Sequence, residues 1–146
     1  LVAGDGELQE QWTALSTELG IEDRVTFLGN VPHARIPLYI RAASLFVLNS
    51  EYEGLSHTLL EVASLGTPIV CTGVCGNPEV VEHEVNGLLV QPKSPEELGP
   101  AMMRVLDDPA LAQRFVEAGL IKMKAFRRDT TFPQVLEILD SAVRNG

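Results

Sequence analysis

The sequence predicts an α/β fold: a doubly wound parallel sheet flanked by helices, followed by a C-terminal helical segment. Two observations carry that prediction. Short apolar runs recur through residues 1–90 without polar alternation, as in strands covered on both faces. Between them lie stretches of about ten residues with helical apolar spacing, the pattern of βαβ units with right-handed crossovers.

The elements follow in order. Leu1-Val2-Ala3 is the first strand and ends at Gly4-Asp5-Gly6. Residues 7–19 place Leu8, Trp12, Leu15 and Leu19 at spacings of 4, 3 and 4, a helical stripe closed by Gly20. Asp5 is read as its N-cap in preference to a ligand contact, and Trp12 is expected in the core. Val25-Thr26-Phe27-Leu28 is the next strand, with Phe27 in the core and Gly29-Asn30 at its exit. A helix within 32–43 presents Ile36, Ile40 and Ala43 on one face. Leu45-Phe46-Val47-Leu48 is a strand, the helix beginning Leu59-Leu60-Glu61 follows, and Pro68-Ile69-Val70-Cys71 is another strand. Pro78 precedes Glu79 at an expected helix start, and Gly87-Leu88-Leu89-Val90 is the last strand. Ligands of such sheets bind beyond the carboxyl ends of the strands, so the loops at 4–6, 29–30, 49–56 and 72–77 are expected along one rim.

Beyond Val90 the pattern is helical, a tail over about 94–146. Ser94-Pro95-Glu96-Glu97 reads as a capping box with proline at the first helical position. Gly99-Pro100 falls inside that helix, where proline costs about 3 kcal/mol, so a kink or restart is expected at Gly99. Asp108-Pro109 starts the next helix, which carries Leu111, Phe115, Ala118 and Lys122. A final helix is expected to contain Val135, Leu136, Leu139 and Val143.

The length of 146 residues suits a single domain over 1–146 with a core of its own. Its 45% hydrophobic and 21% charged residues are ordinary for a soluble globular protein. No apolar run approaches the roughly 18–20 residues that span a membrane, so no transmembrane segment is expected. The first residues carry no signal-peptide signature, and without an initiator methionine the chain reads as a fragment of a longer protein. A formal charge of −9 argues against a nucleic-acid partner. Cys71 and Cys75 lack the partners of a zinc set, since His33, His57 and His83 are scattered. Reduced thiols are expected, one at the end of a buried strand and one in the following turn, which fits a cytoplasmic location.

The chemistry concentrates in Glu53-Gly54-Leu55-Ser56-His57-Thr58-Leu59-Leu60-Glu61, where a strand gives way to a helix. Such a junction presents backbone N–H groups and the positive end of a helix dipole, a favourable place for phosphate. A carboxylate at each end suits hydroxyls on either side of that phosphate, the layout of a nucleotide-sugar. Gly54 lets backbone approach a ligand, and Glu61 leans back toward the helix start. Two isolated glutamates would be solvated surface residues, but the apolar neighbours of Glu61 weigh against that for this pair. His57 has equal merit as a phosphate donor and as a cap-region residue. Asp107-Asp108 reads as helix capping rather than a metal pair, and Glu79 as a partner of the dipole or a brace for the Gly76 turn.

The segment Asn49-Ser50-Glu51-Tyr52-Glu53-Gly54-Leu55-Ser56, running to Glu61-Val62-Ala63-Ser64-Leu65-Gly66-Thr67-Pro68-Ile69-Val70, resembles the family-4 retaining glycosyltransferases. Four further stretches match in the same order: Val2-Ala3-Gly4-Asp5-Gly6, Val25-Thr26-Phe27-Leu28-Gly29, Gly76-Asn77-Pro78-Glu79-Val80-Val81 and Asn86-Gly87-Leu88-Leu89-Val90. The resemblance implies one of two Rossmann-like domains facing across a cleft, the GT-B architecture. This would be the C-terminal, donor-binding one, and the N-terminal acceptor domain would lie outside the chain. The implied reaction moves a hexose-like unit from a nucleoside diphosphate sugar to a hydroxyl acceptor with retention.

By the same resemblance Glu53 holds the donor sugar and Glu61 the ribose hydroxyls. The backbone N–H groups of Gly54, Leu55 and Ser56 meet the diphosphate, and the backbone of Gly29, Asn30 and Val31 flanks the base. Neither metal nor cofactor is implied. Ser56 replaces a commoner glycine and adds a hydroxyl near phosphate. The family's Arg and Lys that neutralise the diphosphate fall before Leu1, so this chain alone is expected to bind donor weakly and to be inactive. Peripheral membrane association of a full-length protein stays open. The alternative is a non-catalytic nucleotide-binding or interaction module of the same fold, with an epimerase of that architecture less favoured.

Overall fold

The computed structural model describes residues 1–126, 129–131 and 133. The helix expected around Val135, Leu136, Leu139 and Val143 lies outside the described residues. The chain divides into two compact units, Leu1–Tyr39 and Ile40–Gly146.

In the first unit β1 (Val2–Ala3) runs parallel to β2 (Phe27–Gly29), with Val2 opposite Phe27 and Ala3 opposite Gly29. Helix α1 (Gln9–Glu18) and a 3₁₀ turn at Glu22–Arg24 connect them. Gly20 closes α1 at a φ of 65°, a left-handed conformation that glycine adopts without strain. Two expectations fail here. Asp5 does not cap α1: the N-cap is Leu8, because a turn closed by Gln9 N–H donating to the Gly6 carbonyl intervenes. Trp12 is not core either. It is 49% exposed, and Leu8, Leu15 and Leu19 share that exposure. The physical reason is size: strands of two and three residues form too small a surface to cover a helix of ten. Phe27 is half-buried, and Ser16 is the buried residue of α1. A 3₁₀ turn, His33–Arg35, then leads into α2 (Ile36–Ala42), whose Ile40 is buried.

The second unit is built on a parallel sheet in the order β3 (Phe46–Leu48), β4 (Ile69–Thr72), β5 (Leu88–Val90). Phe46 lies opposite Ile69, and Val70 opposite Leu88. Helix α3 (His57–Leu65) returns the chain from β3 to β4, and the single turn α4 (Asn77–Val80) lies between β4 and β5. Burial on both faces holds along the whole of β4, whereas β3 and the middle of β5 are only partly covered. A strand with a neighbour on each side is the one that helices can sandwich completely. Leu59, Val62 and Ala63 form the buried face of α3, and Gly66 ends the helix at a φ of 76°.

Helix α5 (Pro95–Asp107) passes unbroken through Gly99-Pro100, so of the expected kink or restart the restart does not occur. The proline penalty is offset by packing, since Leu98, Ala101 and Val105 join the core around it. The expected capping box does not form. Ser94 is the N-cap but makes no side-chain bond, and the Glu97 carboxylate accepts from the Gln91 N–H at 2.8 Å instead. Helix α6 (Pro109–Met123) starts as expected, with Asp108 Oδ1 accepting from the Leu111 N–H at 2.9 Å. Arg104 of α5 forks onto the exposed Glu84 carboxylate, and that hydrogen bond holds the carboxyl below its usual range.

Val70, Leu88, Val90, Val105, Leu111 and Phe115 form one buried cluster between sheet and helices. Phe115 is 1% exposed, so Phe115→Ala removes a ring from a packed interior and should lower stability by about 3–5 kcal/mol. Denaturant unfolding should show the midpoint falling with the slope unchanged.

Cys71 and Cys75 are both free, the first buried and the second exposed. Burial pushes the Cys71 thiol up from its ordinary 9.0 to about 12. The unfolded chain therefore releases this proton first. The contribution of the buried neutral thiol is fully present below pH 9 and is lost as pH rises from 9 toward 12. Native protein at pH 8 should react with a thiol reagent at Cys75 alone, and Cys75→Ser should abolish that labelling until denaturant exposes Cys71. The alkaline fall in stability should be smaller in Cys71→Ala than in the unmodified chain.

Candidate functional site

The loop 49–56 leaves the carboxyl end of β3 and runs directly into α3. Ser56 is extended at a φ of −73° and ψ of 102°, and its hydroxyl accepts from the Leu59 N–H at 3.4 Å. Ser56 is 4% exposed, so this hydroxyl is a helix cap facing inward rather than a group added to the open loop. The first backbone bond within the helix runs from the Leu60 N–H to the Ser56 carbonyl at 3.2 Å. The N–H groups of His57 and Thr58 thus have no acceptor within the helix, and both residues are exposed. Sequence reasoning named the His57 side chain but not these two amides. The cap serine marks them, because the two residues after an N-cap begin the helix without intrahelical acceptors.

Gly54 and Leu55 are exposed in the same loop, immediately before the cap. Glu53 is half-buried and accepts a hydrogen bond from the Ser50 hydroxyl at 2.8 Å. Glu61 is half-buried on α3, four residues after His57, and so shares a face with the first turn of the helix. Glu51 pairs with Lys93 at 3.0 Å, an exposed ion pair of the kind that contributes little.

A second loop, 72–77, leaves β4 beside the first. Thr72 is fully buried and donates through Oγ1 to the Ser50 carbonyl at 2.6 Å. Asn77 is fully buried and donates through Nδ2 to the Thr72 carbonyl at 2.9 Å. Cys75 holds a φ of 45°, and this turn sets Gly76 against the first loop. A Cβ at Gly76 would lie 2.4 Å from the Gly54 carbonyl oxygen and 3.0 Å from the Leu55 Cα, so no side chain fits there unless the loop moves. Ser50, Thr72, Asn77 and Gly76 escaped sequence reasoning as partners of the glutamate loop. Threonine and asparagine among apolar neighbours at a strand end were the available signal, since buried polar side chains require partners.

In the first unit, Gly29, Asn30 and Val31 follow the carboxyl end of β2. Gly29 has a φ of 61° and its carbonyl accepts from the Gly4 N–H at 2.9 Å. Asn30 is exposed and Val31 half-buried. Among the described residues, no group of three His, Cys, Asp or Glu side chains converges to hold a metal ion, and no helix is long and apolar enough to cross a membrane.

Residues 1–121 match the family model of glycosyl transferases group 1. Similar proteins include alpha-D-kanosaminyltransferase of Streptomyces kanamyceticus, 36% identical over 80% of this chain and 30% of that protein. D-inositol 3-phosphate glycosyltransferase of Streptomyces griseus is 33% identical over 88% of this chain and 27% of its own length. The chain therefore spans about three tenths of the length of these relatives. Among solved structures, Anabaena HepE in complex with UDP-glucose superposes with a TM-score of 0.83 at 29% identity, over 95% of this chain and 40% of that one. Sucrose-phosphate synthase of Thermosynechococcus elongatus gives 0.82 at 28% identity, over 98% of this chain and 38% of that one. These likenesses agree with the α/β reading of parallel strands flanked by helices, and the chain belongs to the glycosyl transferases group 1 family.

Proposed function

We propose that this group 1 glycosyltransferase chain is the donor-binding part of an enzyme that moves a hexose-like sugar, with retention, from a nucleoside diphosphate sugar to a hydroxyl acceptor. The observation that supports it is the Glu53–Glu61 segment, with one carboxylate before the start of α3 and the other within its second turn. Breaking the bond between sugar and diphosphate builds negative charge on the leaving phosphate, and preorganised N–H donors stabilise such charge. The amides of Gly54, Leu55 and Ser56 take that role, joined by those of His57 and Thr58 at the positive end of the α3 dipole.

Glu61 accepts from the ribose hydroxyls. Glu53 accepts from hydroxyls of the donor sugar and holds the reacting carbon in place, a positioning role rather than a nucleophilic one. The backbone of Gly29, Asn30 and Val31 is assigned to the base. Acceptor binding is assigned to a domain outside this chain, as are the cations that complete the phosphate site. No metal enters the proposed step, and the chain alone binds donor weakly and does not turn over. The free thiols suit a reducing compartment, so a cytoplasmic location is part of the proposal.

Titration of the chain with UDP, GDP and ADP, each alone and as its hexose conjugate, tests the roles. Glu61→Ala should weaken bare nucleotide and conjugate alike by about tenfold, the scale of a hydrogen bond to a charged group. Glu53→Ala should leave the bare nucleotide unchanged and remove the extra affinity that the sugar provides. Identical effects of the two substitutions on both ligand types would refute the assignment and favour a non-catalytic nucleotide-binding module.

A further inference from the structure

We propose that Ser50 is a positioning residue for Glu53, itself held in place by the turn after β4 through Thr72 and Asn77. The inference rests on the reading that Glu53 meets the donor sugar.

A glutamate in a loop has three rotatable side-chain bonds and no fixed direction of its own. Here the Ser50 hydroxyl donates to Glu53 Oε1 at 2.8 Å. A serine hydroxyl has a single proton to give, so it engages one carboxylate oxygen and leaves Oε2 for a sugar hydroxyl. Ser50 can aim that proton only if its own backbone is held. Thr72 Oγ1 does this by donating to the Ser50 carbonyl at 2.6 Å, across 22 residues of sequence. The Thr72 carbonyl in turn accepts from Asn77 Nδ2 at 2.9 Å. The acceptor fixes the orientation of the Asn77 amide, because only its nitrogen can donate to a carbonyl.

Among the described residues Asn77 Oδ1 has no hydrogen-bond partner, so the amide is held by its Nδ2 bond, which secures the strand end that holds Ser50. The same turn also fixes the next residue of the glutamate loop, since Gly76 packs directly on the Gly54 carbonyl. Glu53 and Gly54 are thus set from one turn, the first by a chain of three hydrogen bonds and the second by contact.

Burial decides which link tests the idea. Thr72 and Asn77 are fully buried, so replacing either disturbs the fold. Ser50 and Glu53 are half-buried in a loop, where water can take the place of a lost hydrogen bond and the cost to stability is small. Ser50→Ala and Ser50→Thr should be compared with the unmodified chain and Glu53→Ala, using UDP, GDP and ADP and their hexose conjugates in NMR titrations, with melting temperatures alongside.

Ser50→Ala should reduce the affinity gained from the sugar by about fivefold while leaving bare diphosphate affinity and melting temperature unchanged. Ser50→Thr, which keeps a hydroxyl, should retain the gain. If Glu53→Ala loses the gain while Ser50→Ala keeps it, the positioning role is overturned and the donor assignment stands. A Ser50→Ala chain that melts early or loses bare diphosphate equally shows a structural role and also overturns the proposal. If the unmodified chain gains nothing from the sugar, or Glu53→Ala changes nothing, both readings fall.

Discussion

The four residues of β4 are buried along their whole length, and that burial constrains everything around them. A strand closed off from water must find a partner for every polar group it carries. The backbone of β4 is paired on both sides by β3 and β5. At its entrance Thr67 donates to the Ile40 carbonyl at 2.8 Å, and at its exit Thr72 donates to the Ser50 carbonyl. On the β5 side the chain must come very close: a Cβ at Gly87 would sit 2.8 Å from the Ile69 carbonyl oxygen. The loops that carry the candidate site leave the carboxyl ends of β3 and β4. Their separation is therefore set by a ladder in which Leu48 faces Cys71.

Local signals in the sequence proved legible wherever the local structure was also the final one. Asp108 before Pro109, Gly20 after the α1 stripe and the continuous run ending in Cys71 all act within a few residues, and each stands where its chemistry puts it. Signals failed where tertiary packing competed with them. Pro100 breaks an isolated helix, but the core contacts of Leu98, Ala101 and Val105 carry α5 through it. Glu97 is suited to reach back to Ser94, yet the Gln91 amide offered another donor. The α1 stripe has correct helical spacing, while spacing alone does not supply a surface to cover it.

The candidate site divides the same way. The placement of Glu53 in a strand exit and of Glu61 on the following helix could be read from the sequence, because a strand giving way to a helix is a local pattern. Ser50 was visible only as part of a motif. Its bond to Glu53 spans three residues, but its hold on the fold comes from Thr72, which lies 22 residues away and is reached only once β3 and β4 pair. A distance of that kind is a property of sheet register, which no window of sequence encodes by itself.

The nature of the group beside Glu53 also bears on the proposed chemistry. A lysine or arginine there would orient the carboxylate but neutralise it, and paired charges in a partly dehydrated loop bind each other rather than a ligand. A serine hydroxyl orients without cancelling charge. On the proposed reading this distinction matters, because departure of the diphosphate leaves electron deficiency on the sugar, and a carboxylate that keeps its charge favours that change. The opposite requirement holds at the helix start, where negative charge accumulates on phosphate. There the structure offers amide dipoles, whose positive ends stabilise an anion. On that reading, in a chain of formal charge −9, the groups this chain sets beside the two centres are neutral, a hydroxyl that orients Glu53 on one side and peptide N–H groups on the other, and the completing cations are assigned outside it.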